Sequence, residues 1–172
     1  IEDHFDHSFE LEETLFAKGK AAALETVRGM IHEPGTVAYV RQQEPAGLGH
    51  AVWCARHLIH DEPVAVLLAD DLILGPSCLA EMVASYQGGN MVAVMDIAKS
   101  ETGSYGIITP GADHGQLVEV SGLVEKPDPA NAPSTIGVVG RYIIEAGVFA
   151  QLGNQERGAG NEVQLTDALA RQ

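Results

Sequence analysis

The chain has 172 residues, of which 45% are hydrophobic, and this suits one globular domain with a proper core. Its 24 acidic and 10 basic side chains give a net charge of −14. That balance argues against nucleic acid as a partner, because such binding relies on clustered Lys and Arg. No apolar run approaches the roughly 20 residues that span a bilayer, and no secretory signal opens the sequence. We therefore expect a soluble protein without a membrane partner, and an anionic ligand would need a metal ion or well-placed cations.

The first third of the chain predicts helices followed by alternating strands and helices. Residues 1–31 have apolar spacing near three and four, with Gly19 as a break between two helices. Thr36–Val40 is a short β-branched run and predicts a strand. A polar loop with two glycines then opens a helix, and the apolar run Val64–Leu68 predicts the next strand. Because that run has no polar alternation, it is typical of a strand covered on both faces in a parallel sheet.

The remainder predicts an α/β fold whose C-terminal part is richer in strands. A helix over about 77–86 and a strand at Met91–Ile97 complete a strand–helix rhythm with short loops. The later predicted strands are residues 105–109, 117–120, 123–126 and 137–144, and the later helices are residues 146–152 and 161–169. Cys54 and Cys78 lack metal-ligand spacing and are predicted to be buried free thiols of a reducing cytoplasm; a disulfide or a nucleophile is the less favoured alternative.

Two adjacent carboxylates, Asp70 and Asp71, follow the apolar run Val64–Leu68. In open α/β sheets ligands bind beyond the carboxyl ends of the strands. Buried unpaired charges are costly, so these acids should reach solvent, a cation or backbone donors. A metal site and a polar turn before the next helix are equally good interpretations of the two residues alone. Because side chains alternate along a strand, we expect only one of them to reach an ion.

A second candidate site lies around the loop Gly47–His50. Its glycines precede a helix, whose exposed backbone amides attract anions or base carbonyls. Gln42 precedes the loop and can both donate and accept, as reading a uracil edge requires. Turn geometry for the glycines and a surface position for Gln42 are the simpler interpretations.

A third candidate is the pair Glu125 and Lys126, which ends a predicted strand before Pro127. Lysine supplies a cation for a phosphate, and the adjacent carboxylate supplies an acceptor for sugar hydroxyls. A surface ion pair of little energetic weight is the alternative. At Gly106 and Gly140 a backbone can approach a ligand closely, although ordinary strand kinks would also explain both glycines.

The order of these motifs is more specific than any one of them. Gly-Leu-Gly-His-Ala, Leu-Ala-Asp-Asp, Tyr-Gly-Ile-Ile, Val-Glu-Lys-Pro, Val-Gly-Arg-Tyr and Asn-Glu-Val-Gln-Leu-Thr-Asp-Ala follow one another along the chain. In this order the sequence resembles the bacterial UTP–glucose-1-phosphate uridylyltransferases over nearly its whole length. The resemblance implies a three-layer α/β/α, Rossmann-like nucleotidyltransferase fold of the glycosyltransferase-A type, with a mostly parallel mixed sheet. It also implies one domain over 1–172, with a nucleotide side at about 36–97 and a sugar side at about 103–172.

The resemblance implies roles for individual residues. Gln42 matches the residue that reads the uracil, and Gly47 matches the backbone beside the base. Asp70 matches the carboxylate that holds Mg²⁺, and Lys126 matches the lysine at the sugar phosphate; these two are the implied catalytic residues. The implied contacts to the glucosyl group are Gly106, Glu125, Val138 and Gly140. The implied reaction is attack of glucose 1-phosphate on the α-phosphorus of UTP, which releases pyrophosphate and UDP-glucose and depends on alignment and charge neutralisation.

Two segments of that family have no match in this sequence: the Gly-rich loop that cradles the triphosphate and a later Asp-Cys-Gly segment with a second metal ligand. We therefore expect the central part of a cytoplasmic enzyme, incomplete at both ends, whose isolated chain is inactive and whose full-length parent forms a homo-oligomer. A non-catalytic sugar-nucleotide-binding or structural fragment is the alternative. A metal-dependent glycosyltransferase that uses Asp70 and Asp71 is less favoured.

Overall fold

The structure is a computed structural model that describes residues 2–154 and 156–172. Within these residues the α-helices are α1 Phe9–Ala17, α2 Ala21–Gly29, α3 Leu48–Cys54, α4 Cys78–Ser85, α5 Gly147–Gly153 and α6 Leu165–Leu169. The strands are β1 Val64–Leu67, β2 Met91–Asp96, β3 Gly106–Asp113, β4 Val118–Glu125 and β5 Ile136–Ile144. Single 3₁₀ segments lie at Glu2–Phe5, Arg56–Leu58, Lys99–Ser104 and Ala159–Asn161. None of the described helices is long and apolar enough to cross a membrane.

The chain divides into two compact units, Ile1–Arg41 and Gln42–Gln172. The first unit is helical, as predicted, with Gly19 at a φ of +63° between α1 and α2; Ile1 of the predicted segment lies outside the described residues. The two helices are joined by Arg28, whose Nε donates to Glu12 Oε2 at 2.8 Å. That hydrogen bond lowers the pKa of the Glu12 carboxyl below its usual range.

The strand predicted at Thr36–Val40 is not formed. Thr36 ends a turn, and the residues after it carry no strand pairing. Val37, Tyr39 and Val40 are 42%, 48% and 47% exposed. A β-branched run becomes a strand only where a neighbouring strand satisfies its backbone groups and packs its side chains. No strand in the described residues pairs with this segment, and the prediction was wrong for that reason.

The second unit contains the whole sheet, in which β5 is the central strand. The strand order is β1-β5-β3-β4, and β2 also pairs with β5. Every pair is antiparallel, although we expected a mostly parallel sheet. β1 and β2 do run in the same direction, as a strand–helix–strand unit requires. They are not neighbours in the sheet, since each of them pairs with β5 and not with the other.

The hydrophobic core lies between one face of the sheet and helices α3, α5 and α6. From β5 it receives alternate side chains, including Val138, Tyr142 and Ile144, as the two-residue period of a strand dictates. α4 packs on β2 and β5. Its Met82 and the β5 residue Ile143 are buried outside that core cluster, which agrees with a second helical layer on the other face.

Several boundaries differ from the prediction. β1 ends at Leu67, and the two strands predicted at 117–120 and 123–126 form the single strand β4. The helix predicted from Asn161 begins only at Leu165, because the preceding segment pairs with the loop before α3 and with the first turn of α3. Val163 N donates to Ala46 O, and Val163 O accepts from Gly49 N, both at 2.8 Å. The two cysteines are free, as predicted, but half-buried rather than buried.

Candidate active site

One cleft of about 510 Å³ in the second unit is lined by residues from the end of β1, from β2 to β5 and from the start of α6. Most of the predicted site residues line it: Asp70, Gly106, Glu125, Lys126, Val138 and Gly140. These residues come from distant parts of the sequence, so the fold and not the chain order brings them together. Their individual roles stay predictions.

The two adjacent carboxylates lie in a turn and not on a strand. Leu68 O accepts a hydrogen bond from Asp71 N at 3.4 Å, which closes a turn with Asp70 at its second central position. Asp71 Oδ2 accepts from Gly140 N at 2.7 Å. Asp70 is exposed and lines the cleft. We had reasoned that strand alternation separates the two side chains, and this was wrong. The turn separates them instead, since it directs Asp71 to the backbone of β5.

Arg141 fixes the same turn from β5. Its Nη1 donates to Leu68 O at 3.1 Å and to Gly140 O at 2.7 Å, and its Nη2 donates to Asp71 O at 2.6 Å. A Cβ on Gly140 would lie 2.7 Å from Leu68 Cβ and 3.1 Å from Asp71 Cβ. Only glycine permits this approach of β5 to the turn.

Glu125 is held by a side chain and not by backbone. Thr166 Oγ1 donates to Glu125 Oε2 at 2.8 Å, and Lys126 Nζ lies 3.7 Å from Oε1. The Glu125 side chain is only 12% exposed, so this is not the freely exposed ion pair that we considered. Lys126 has a φ of +46°, a left-handed conformation that is uncommon outside glycine and is enriched at functional sites.

Gly106 gives Glu125 and Thr166 the space that they occupy. A Cβ there would lie 2.9 Å from Thr166 Cγ2 and 3.2 Å from Glu125 Oε2. The structure thus gives Gly106 a packing role, as it does Gly140. Direct contact of either glycine with a ligand remains a prediction.

Gln42 and Gly47 are not among the described residues that line the cleft. Gln42 Nε2 donates to Gly47 O at 3.1 Å and lies 2.9 Å from His50 Nδ1. Gly47 has a φ of +99°, and a Cβ there would lie 2.7 Å from Glu162 Cβ. Because Glu162 and Leu48 do line the cleft, the predicted base site adjoins it.

The cleft wall is strongly acidic. Carboxylates from Asp70, Asp71, Glu125 and Glu162 face or border it, and Lys126 is the cation among its described lining residues. Tyr142 also lines it, and burial together with the charges of Glu125 and Asp71 raises the pKa of its phenol to about 12. A phosphate ligand would therefore need added positive charge here.

Comparison with known proteins decides the family. The family model described as Nucleotidyl transferase matches residues 6–172. The chain belongs to the nucleotidyl transferase family. It is 49% identical to a UTP–glucose-1-phosphate uridylyltransferase of Komagataeibacter xylinus, over 98% of this chain and 61% of that protein. It is 46% identical to the UTP–glucose-1-phosphate uridylyltransferase YngB of Bacillus subtilis, over 98% of this chain and 58% of that protein.

Solved structures agree with this nucleotidyl transferase assignment. A UDP-glucose pyrophosphorylase complexed with UDP-glucose has a TM-score of 0.83 at 36% identity, over 99% of this chain and 63% of that one. A UTP-bound UGPase from Acinetobacter baumannii has a TM-score of 0.81 at 34% identity, over 99% of this chain and 61% of that one. The predicted α/β nucleotidyltransferase class and the resemblance are thereby confirmed. The chain spans less than two thirds of the length of these relatives.

Two residues of the site escaped the sequence reasoning, Arg141 and Thr166, whereas the Asp71 carboxylate accepts from a backbone donor, one of the three partners that we expected for the two acids. Arg141 and Thr166 both stand inside motifs that carried the resemblance, Val-Gly-Arg-Tyr and Gln-Leu-Thr-Asp. That was the available signal. Their roles depend on contacts with residues far away in the sequence, which no local pattern records.

Proposed function

We propose that the full-length protein carrying this sequence forms UDP-glucose and pyrophosphate from UTP and glucose 1-phosphate. The observation that supports this most strongly is the convergence of Asp70, Glu125 and Lys126 on one cleft. The named relatives and the two ligand-bound neighbours support the choice of substrates, since what they bind is a uridine nucleotide or a nucleotide sugar.

In this proposal Lys126 and Glu125 bind the sugar phosphate and the sugar. Lys126 is half exposed and places one cationic nitrogen at the cleft, which suits a phosphate oxygen. Glu125 keeps Oε1 as an acceptor for sugar hydroxyls, since Thr166 occupies Oε2. Val138, with Gly106 and Gly140 beside it, forms the wall against the glucosyl group.

Asp70 is the residue that fits a divalent cation. The described residues contain no group of three or more His, Cys, Asp and Glu side chains that could hold a metal ion alone. Mg²⁺ commonly takes only one or two protein carboxylates and completes its shell with waters and substrate phosphates, and one exposed carboxylate in an acidic cleft fits that mode. We propose that Asp70 and not Asp71 holds Mg²⁺, because Asp71 is already bonded to Gly140. When bound, the cation would neutralise charge on the phosphates.

The base is proposed to bind at Gln42 and Gly47. Both observed contacts of the Gln42 amide use its nitrogen, so its oxygen is available to accept the imide N–H of uracil. We further propose one cytoplasmic, homo-oligomeric enzyme, with a nucleotide side at 36–97 and a sugar side at 103–172 of a single domain over 1–172.

The test is turnover by the full-length protein with UTP, glucose 1-phosphate and Mg²⁺, followed by pyrophosphate release and by UDP-glucose formation. We expect both products in equal amounts and the reverse reaction when UDP-glucose and pyrophosphate are supplied. A glycosyltransferase would instead release UDP from UDP-glucose in the absence of pyrophosphate, and a non-catalytic protein would bind UDP-glucose without either reaction.

The metal assignment has its own test in the same assay. Asp70→Asn is expected to abolish most Mg²⁺-dependent turnover, and Asp71→Asn is expected to reduce it less. A larger loss for Asp71→Asn would reverse the assignment.

A further inference from the structure

Arg141 is not among the described residues that line the cleft, and its guanidinium forms no ion pair within the described chain. It nevertheless makes three hydrogen bonds, all to backbone carbonyls, at 2.6 to 3.1 Å. Arginine is usually placed where a carboxylate or phosphate receives its donors. Because all of its hydrogen bonds go to backbone carbonyls here, we infer that Arg141 fixes the conformation of that backbone.

That backbone is the turn that carries Asp70. On one side of Asp70, Leu68 N donates to Gly140 O at 2.9 Å and Leu68 O accepts from Arg141 Nη1. On the other side, Asp71 Oδ2 accepts from Gly140 N and Asp71 O accepts from Arg141 Nη2. Leu68 and Asp71 thus each make one hydrogen bond to Gly140 and one to Arg141, two consecutive residues of β5.

The consequence concerns the freedom of the turn. Without such bonds, a short exposed turn after the end of β1 would sample several backbone conformations, and a ligand would have to restrict them on binding. Four bonds to β5 impose that restriction in advance. The bonds leave the Asp70 carboxylate itself unused, since they engage Leu68 and Asp71.

We propose that Arg141 is a positioning residue that holds the Asp70 carboxylate ready for a divalent cation, with the Asp71 carboxylate as its partner. The inference rests on the proposed assignment of Asp70 to the cation. It adds a residue that acts on the metal through the backbone and touches neither the substrate nor the metal. One guanidinium reaches the carbonyls of Leu68 and Asp71 with two different nitrogens in a fixed planar geometry, which the single nitrogen of a lysine does not reproduce.

The experiment is a titration of the metal-free full-length protein with Mn²⁺ alone, monitored by paramagnetic broadening of the amide NMR signals of residues 69–71. The variants are Arg141→Met and Arg141→Lys, with Asp70→Asn as the baseline. Arg56→Met is the matched control, because Arg56 is also partly buried and bonds a backbone carbonyl, that of Trp53. Both Arg141 variants are expected to need at least fivefold more Mn²⁺ for half-broadening, while Arg56→Met stays within twofold of the parent.

A second readout needs no metal. Hydrogen exchange at the Gly140 amide, which donates to Asp71, should accelerate at least tenfold in Arg141→Lys and not in Arg56→Met. If Arg141→Met does not fold, Arg141→Lys and Asp71→Asn carry the same two measurements. Full retention of Mn²⁺ affinity by Arg141→Lys would show that charge alone matters and would overturn the positioning role.

The result also separates this inference from the metal assignment. Broadening that survives in Asp70→Asn would refute Asp70 as the ligand. Broadening that is lost in Asp70→Asn but unchanged in both Arg141 variants would leave the ligand in place and refute the role of Arg141.

Discussion

The cleft holds its two candidate carboxylates in different ways. Asp70 is exposed on a turn whose neighbours are bonded to the backbone and guanidinium of β5. Glu125 is mostly buried, and one of its own oxygens accepts from the Thr166 hydroxyl. The first site is rigid whatever side chain stands at position 70, whereas the second depends on the side chains themselves. Substitutions should therefore separate stability from binding at Asp70 and couple the two at Glu125.

The largest effect is expected where the backbone of the first region is closest. Gly140→Ala would place a Cβ 2.7 Å from Leu68 Cβ, and overpacking of this kind costs about 3 kcal/mol of unfolding free energy. Urea unfolding of Gly140→Ala and of the control Gly103→Ala measures it. The nearest atom to a Cβ at Gly103 is Pro127 O at 3.7 Å, so the control should change little. Equal stability of the two variants would contradict the close approach of β5 to the turn.

The next effect concerns binding in the second region. Lys126→Ala removes a charge-assisted contact with the sugar phosphate and should weaken UDP-glucose binding by about 2 kcal/mol. Isothermal titration with UDP-glucose and Mg²⁺ measures it, and Lys99→Ala, at the exposed start of a 3₁₀ segment, is the matched control. Unchanged affinity in Lys126→Ala would remove Lys126 from the site.

Thr166→Val replaces the hydroxyl that donates to Glu125 with a methyl group of similar size. A largely buried carboxylate oxygen then loses its donor, at a cost of about 1.5 kcal/mol of unfolding free energy. We also expect weaker binding of UDP-glucose and unchanged binding of UDP, because Glu125 is assigned to the sugar. Thr166→Ser restores a hydroxyl and should recover most of the affinity. Equal losses for UDP and UDP-glucose would indicate a general structural defect instead.

In both regions, sequence reasoning could predict the charged residues but not the contacts that hold them. Charged residues directly after apolar runs, such as Asp70, Glu125 and Lys126, signal strand ends, and the structure brings those ends to one cleft. The bonds from Arg141 to Leu68 and Asp71 span about seventy residues of sequence, and Glu125 and Thr166 are also far apart. Such contacts follow from the position of β5 between other strands, which local periodicity does not encode.

The difference between local and long-range contacts also explains which predictions of the fold were wrong. Helices in residues 9–29 were predictable because their hydrogen bonds are local. The strand at Thr36–Val40 and the strand directions depend on partners elsewhere in the chain, and there the pattern was insufficient.

The smallest expected effect is on the pH dependence of stability. It involves Tyr142, whose phenol interacts electrostatically with Glu125 in one region and with Asp71 in the other. Burial and these charges raise its pKa to about 12 from the ordinary value of 10.0. The folded protein thus keeps the phenol protonated at a pH where the unfolded chain loses the proton. This contribution to stability is complete below pH 10 and is lost as the pH rises from 10 to 12. At pH 11 the loss is about 1 kcal/mol of unfolding free energy. Denaturant unfolding of the parent and of Tyr142→Phe between pH 8 and 11 isolates it, because all other groups titrate in both proteins. The unfolding free energy of the parent relative to that of Tyr142→Phe should fall as the pH rises; parallel curves would mean that the phenol ionises equally in the folded and unfolded states.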